Sequence, residues 1–187
     1  NGFNIDFGLV GGWLSSDSTR FINDNLALTD GLTLGRSNAF GSFDSWFLAP
    51  EIGVSMDIES DGTVFTPSAN IRYSMQEVDG YTETGSAANA TVGSRSLGMI
   101  EANVEMAASR RVNSGTLTGR VGYMFRSSTG DDAATISMLG TTNPVGFGNT
   151  DSNAAYLGLE TDIEIRSNMD LVIDGQGFFG SDMRGYQ

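Results

Sequence analysis

The chain has 187 residues and a formal net charge of −13, with 23 acidic residues against 10 basic ones. That balance argues against nucleic-acid binding, which needs a basic surface to displace counterions from phosphate. With no Cys and no His, the chain has no disulfides and no thiolate chemistry, and neither Ser-His-Asp or Cys-His catalysis nor a His-based zinc site is open to it.

In chain order, Ile5, Phe7, Leu9 and Trp13 alternate with Asn4, Asp6, Gly8 and Gly12, which predicts a first strand over Phe3–Ser15. Ser16–Asp44 holds Asp, Asn, Ser and Gly clusters and reads as a long loop with strand extensions at its ends. The clearest element follows. Trp46, Leu48, Pro50, Ile52, Val54, Met56 and Ile58 fall on one face, and Glu51, Gly53, Ser55, Asp57 and Glu59 on the other. Ser60-Asp61-Gly62 turns. Phe65, Pro67, Ala69, Ile71, Tyr73 and Met75 then oppose Thr66, Ser68, Asn70, Arg72, Ser74 and Gln76. Successive side chains of a strand point to opposite faces, so this is a two-faced hairpin. Its strands exceed the usual 5–6 or so residues of a globular strand and suit the roughly 9–11 that cross a bilayer.

Asp79–Arg95 is a polar, Gly-rich connection with small residues. In Gly98–Ala108, Ile100, Ala102, Val104 and Met106 share a face against Glu101, Asn103 and Glu105. Arg110–Gly115 turns. Leu117, Gly119, Val121, Tyr123 and Phe125 oppose Arg120 and Arg126. After a turn at Ser127–Asp132 come a strand at Ala134–Met138, a turn at Thr141–Pro144 and a short strand at Val145–Asn149. Ala155, Leu157, Leu159, Ile163 and Ile165 oppose Gly158, Glu160, Asp162, Glu164 and Arg166. Ser167-Asn168 turns. Met169, Leu171, Ile173 and Phe179 oppose Asp170, Asp174 and Gln176. No run approaches the roughly 20 apolar residues of a transmembrane helix.

Alternation alone does not say which face is inside. In a soluble barrel the apolar face points inward, and in a membrane barrel it points to lipid. The long apolar rows favour lipid. So does the polar face, which mixes charges with small residues as a confined lumen does. Every cation is Arg and none is Lys. Lys is usual on water-facing strands, whereas the planar fork of Arg suits positions paired with carboxylates. Only a closed barrel satisfies all strand N–H and C=O groups within lipid. The fold class is therefore all-β, an antiparallel up-and-down transmembrane barrel. Arg72, Glu101, Glu105, Arg120, Arg126, Glu160, Asp162 and Glu164 are the expected lumen residues. Trp46, Leu48, Ile52, Val54, Ile71, Tyr73, Val121 and Tyr123 are expected to face lipid, with Trp13, Trp46, Tyr73, Tyr123 and Phe179 as candidate interface aromatics.

Three pieces occur in series: Trp46-Phe47-Leu48-Ala49-Pro50-Glu51, then Thr66-Pro67-Ser68-Ala69-Asn70-Ile71-Arg72-Tyr73, then Gly80-Tyr81-Thr82-Glu83-Thr84-Gly85-Ser86-Ala87-Ala88-Asn89 running on to Val92-Gly93-Ser94-Arg95. The series resembles the β-domain of autotransporters (type V secretion), strongly over Ser45–Arg111 and by strand spacing beyond. The resemblance implies a bacterial outer-membrane translocator of twelve strands that anchors and helps export a passenger attached at its N-terminal side. Its implied partners are outer-membrane lipid, that passenger and the barrel assembly machinery, with no cofactor. A stand-alone barrel that acts as a structural or surface-binding protein is the alternative.

Glu101 and Glu105 share a face, as a catalytic carboxylate pair would, but carboxylates balanced by arginines in a wet lumen give the same pattern. No catalytic, cofactor or metal residue is assigned. Asp131, Asp132 and Asp151 suit Ca²⁺, but Asp serves turns through its local backbone bonds. Residues 1–187 are expected to form one translocator domain, incomplete at both ends. Strand parity between the short turns gives nine strands, with Val145–Asn149 in the barrel wall, and the last of them runs outward to Gly185-Tyr186-Gln187. Barrels of this kind have even numbers of strands, so one C-terminal strand is expected to be missing, along with about two before Asn1 on the family's count of twelve.

Overall fold

A computed structural model describes residues 2–29, 32–113, 115–148, 151–166, 169–180 and 184–186. They form twelve strands: β1 (Gly2–Thr29), β2 (Leu32–Ser60), β3 (Thr63–Val78), β4 (Tyr81–Thr82), β5 (Ala90–Val92), β6 (Arg95–Val112), β7 (Gly115–Gly130), β8 (Ala133–Met138), β9 (Thr141–Gly146), β10 (Ser152–Arg166), β11 (Met169–Gly180) and β12 (Arg184–Tyr186). Eight of them make one antiparallel sheet in the order β1-β2-β3-β6-β7-β10-β11-β12, and four make a smaller sheet, β4-β5-β8-β9. The large sheet curls into part of a barrel wall.

Turn chemistry sets the register at one end of this wall. Asp61 and Gly62 both take positive φ, 50° and 73°, between the paired Ser60 and Thr63. Positive φ at both central residues is the type I′ turn that matches strand twist. Asn113, at φ 53°, serves the β6–β7 turn. Residues 167 and 168, read as a turn from the sequence, lie outside the described residues, as does Asn149.

Proline interrupts the ladder without breaking the sheet. β2 and β3 pair at Leu48–Met75 and again at Glu51–Arg72, with no pairing around Pro50 between them, because Pro has no N–H to offer. A second gap lies opposite Pro67, between Ser55–Ser68 and Ile58–Phe65. There Thr66 Oγ1 donates to Asp57 Oδ1 at 2.7 Å and ties the strands through side chains instead.

Several sequence expectations need correction. Ser16–Asp44 is not a loop. β1 and β2 stay paired from Gly2–Asp57 through Ser16–Phe43 to Asn23–Arg36 and beyond. Past Trp13 and Ser45 this ribbon leaves the sheet, since β2 pairs with β3 only as far as Ser45–Val78. There it packs through small and polar residues on the segment that carries β4, so the alternation that marks a strand disappears while the backbone ladder continues. The polar connection Asp79–Arg95 carries two short strands, β4 and β5. Thr141–Pro144 is not a turn but part of strand β9, and the turn before it is Leu139-Gly140.

The count of nine wall strands is also wrong. β7 pairs directly with β10, from Arg126–Ser152 to Gly115–Ile163, so Ala134–Met138 and the run into Val145 leave the wall as the β8–β9 hairpin. Parity limits the number of intervening wall strands only to an even value, and that value is zero. The chain also turns back after β11. β12 pairs with it antiparallel, Phe179–Arg184 to Gly177–Tyr186, so Gly185-Tyr186 belongs to a returning strand rather than to the end of an outward one.

Candidate functional site: the polar face and the outer ledge

Directly paired positions on adjacent strands share a face. Glu51 on β2 pairs with Arg72 on β3, Arg72 with Glu101 on β6, and Glu101 with Arg126 on β7. The result is one row of alternating charge across the sheet. Arg72 Nη2 is bonded to Glu51 Oε2, and Arg72 Nη1 lies 3.9 Å from Glu101 Oε2. Arg126 donates to Glu101 Oε1 from Nε at 3.0 Å and from Nη2 at 2.6 Å. The fork of Arg holds such geometry better than a single ammonium does.

Tyr156 on β10 spans the next rows. A Cβ on Gly122 would stand 2.3 Å from the Tyr156 ring, so only glycine lets the ring lie flat across β7. The Tyr156 hydroxyl reaches Glu105 Oε2 at 2.7 Å and Asn103 Oδ1 at 3.2 Å, both on β6. Its ring packs on Phe178 of β11 with centroids 5.8 Å apart. Arg120 pairs with Glu160 at 2.5 Å rather than with Glu101 or Glu105. A recess of about 360 Å³ is lined by side chains from β2 through β11, Glu51 and Gln176 among them. The polar face is therefore the concave one.

Among the expected lumen residues, Arg72, Glu101, Glu105, Arg120, Arg126 and Glu160 take part in these contacts. Asp162 and Glu164 make no ion pair among the described residues. They line a separate recess with Arg111, Thr116 and Asp170. Glu101 and Glu105 are held by different partners, the first by arginines and the second by Tyr156. Trp46, Ile52, Val54, Ile71, Tyr73, Val121 and Tyr123 alternate onto the opposite face and are exposed, and Leu48 is half-buried.

Beyond the sheet, Tyr81-Thr82-Glu83-Thr84-Gly85-Ser86 docks the β1–β2 ribbon. Glu83, 5% exposed, accepts from Arg20 Nε at 3.1 Å, from Arg20 Nη2 at 2.5 Å and from the Ala90 N–H at 2.7 Å. Arg20 Nη2 also donates to the Ala88 carbonyl at 2.7 Å. The hydrogen bonds from Arg20 hold the Glu83 carboxyl below its ordinary pKa, against burial, which raises it. Tyr81 stacks on Phe43, centroids 5.0 Å apart, and a Cβ on Gly41 would stand 2.5 Å from the Tyr81 ring. Gly85, at φ +94°, passes so close to Asn38 that a Cβ would stand 2.9 Å from its carbonyl. Phe40 and Thr84 exchange backbone bonds of 2.8 Å each, joining the ribbon to the loop that carries β4.

The sequence reading misses Tyr156, Asn103, Arg20 and Glu83 as site residues. Tyr156 shares the parity of Glu160 and Asp162, and that parity was the available signal. Arg20 lay inside the supposed loop.

An antiparallel sheet with large apolar side chains exposed on its outside and an ion-paired concave face is the wall of a transmembrane β-barrel. The chain matches the autotransporter beta-domain family over residues 1–176 and belongs to that family. No curated protein matches it. The family places it in the bacterial outer membrane as a translocator barrel.

Proposed function

We propose that this barrel anchors and helps export a passenger attached at its N-terminal side, and that its concave face lines the passage. The row Glu51–Arg72–Glu101–Arg126 carries this reading. It keeps charges hydrated and mutually paired on the inside, where an extended chain can pass without meeting an unbroken field of one sign. Arg72, Glu101, Glu105, Arg120, Arg126, Glu160, Asp162 and Glu164 then face the lumen. Trp46, Leu48, Ile52, Val54, Ile71, Tyr73, Val121 and Tyr123 face lipid. Further strands close the wall between β1 and β12, as the backbone requires in lipid, and the barrel assembly machinery inserts it. Glu51, Glu101 and Glu160 act as the partners of Arg72, Arg126 and Arg120 and perform no catalysis.

The test is to fuse an epitope-tagged passenger to the N-terminal side and probe intact cells with protease and antibody. Surface exposure of the tag supports export. A correctly inserted barrel whose tag stays inside overturns it and leaves a stand-alone barrel.

A further inference from the structure

The outer face of the wall, opposite the concave one, carries almost no charge. Among the described side chains of the large sheet it holds Glu77 on β3, paired with Trp46, and Arg110 on β6, paired with Thr63 and Leu117. Arg110 is thus the cation of that face. Arg72, Arg120 and Arg126 on the concave face are each held by a carboxylate. Arg110 is exposed, and its side chain makes no hydrogen bond or ion pair among the described residues.

Its height along the wall is informative. Thr63 leaves the tight turn at Asp61-Gly62, and Val112–Gly115 closes the β6–β7 turn. The long ribbon and the smaller sheet lie at the other end of the wall. Barrels of this kind have short periplasmic turns and longer outer connections, so Arg110 lies near the periplasmic end. From the Tyr73–Ile100 pair to the Thr63–Arg110 pair, a rise of about 3.3 Å per residue and a tilt of about 40° give roughly 25 Å, the height of the apolar band in such barrels. Arg110 stands where that band ends.

The next row toward the membrane is Phe65–Ala108–Gly119–Leu159. A Cβ on Gly119 would meet no heavy atom within 4 Å. Ala108 and Gly119 therefore leave a shallow trough between the exposed Phe65 and Leu159. It rises from Arg110 into the apolar band.

We propose that Arg110 anchors one glycerophospholipid of the periplasmic leaflet. The guanidinium, with the Thr63 hydroxyl beside it, holds the phosphodiester, and an acyl chain lies in the trough. Charge selects this occupant. A cation without a protein partner at the edge of lipid meets the phosphate layer, and the planar fork of Arg matches phosphate oxygens. The inference rests on the reading that the outer face meets lipid.

Native mass spectrometry of the detergent-purified full-length protein tests this. The protein is titrated with phosphatidylglycerol, or with diacylglycerol carrying the same chains. Heat-modified gel mobility reports folding. Affinity for phosphatidylglycerol should fall about tenfold in Arg110→Gln, the loss of one charge-assisted hydrogen bond. It should hold at the wild-type level in Arg111→Gln, whose side chain lines a recess on the concave face. Equal affinity in wild type and Arg110→Gln would overturn the proposal, as would an equal fall in both variants. So would wild type that binds diacylglycerol as tightly as phosphatidylglycerol, a comparison that needs no variant. The underlying reading has its own readout. Both tryptophans, Trp13 and Trp46, lie on the outer face, and brominated acyl chains in vesicles should quench their fluorescence. Absent quenching would remove the lipid face and the site together. Quenching with unchanged phosphatidylglycerol affinity would remove the site alone.

Discussion

β2 passes through two environments, and its side chains follow different rules in each. Between Trp46 and Ile58 the large apolar side chains on one face, Leu48 apart, are exposed, and the charged ones on the other face are held by partners across the sheet. Between Asn38 and Ser45 the pattern changes. Ala39 and Ser45 are buried, beside a small core of Val78, Ala88, Ala90, Val92 and Ala134, with Glu83 buried among them. The wall spreads its stability over long ladders and leaves its apolar surface for lipid. The ledge has little apolar surface to bury and relies on a few polar contacts. Single substitutions should therefore act differently in the two regions.

The largest contrast is expected within the wall. Ile71→Arg should destabilise the barrel by roughly 2–4 kcal/mol where the position lies near the bilayer midplane, and Asn70→Arg, one residue away on the concave face, by far less. Reversible folding into lipid vesicles measures both, and equal losses would reverse the face assignment. In the ledge, Glu83→Ala should cost about 2–3 kcal/mol of local stability. Removing one partner of a fully buried pair costs roughly 3–5 kcal/mol, and Arg20 is 39% exposed, so water recovers part of that. The expected readout is faster proteolysis of the ribbon with the wall intact; simultaneous unfolding of both would show that the ledge has no separate stability.

The same contact gives the ledge a pH response. The carboxyl of Glu83 sits below its ordinary value, so its stabilisation is fully present above the unfolded value of about 4.3. It is lost as pH falls through the lower folded value. Hydrogen exchange at the Ala90 N–H, corrected for the intrinsic rate, should hold level from pH 7 to pH 5 and lose protection only in more acidic solution. A loss near neutrality would contradict the pairing. The smallest effect is at the β8–β9 turn. Leu139 has φ 52°, which a leucine adopts at a penalty of roughly 1–2 kcal/mol. Asn tolerates that conformation, so Leu139→Asn should stabilise the hairpin by about 1 kcal/mol, seen as slower exchange of the Thr141 N–H.

The comparison also explains what the sequence makes legible. In the wall, period-two alternation is enforced by two unlike solvents, so the strands around Trp46–Ile58 and Phe65–Met75 can be read directly. In the ribbon small and polar residues pack on the segment that carries β4, and Ser16–Asp44 loses its pattern while keeping its strands. Pro144 misleads for a local reason. Proline argues against a strand in general, but an edge position asks nothing of its nitrogen. Tyr156 hides among Ala155 and Leu157 because aromatic residues suit either face, and only the missing Cβ of Gly122 shows where the ring goes.

Direct pairing of β7 with β10 leaves everything from Asp131 to Asp151 as an excursion that departs and returns at neighbouring points of the wall. Its length adds nothing to strand number, tilt or register below. The Leu139-Gly140 tip, exposed at the far end of that excursion, is thus a position where evolution or an engineer can add sequence freely. An inserted peptide there would be displayed beyond the wall without asking the barrel to rearrange.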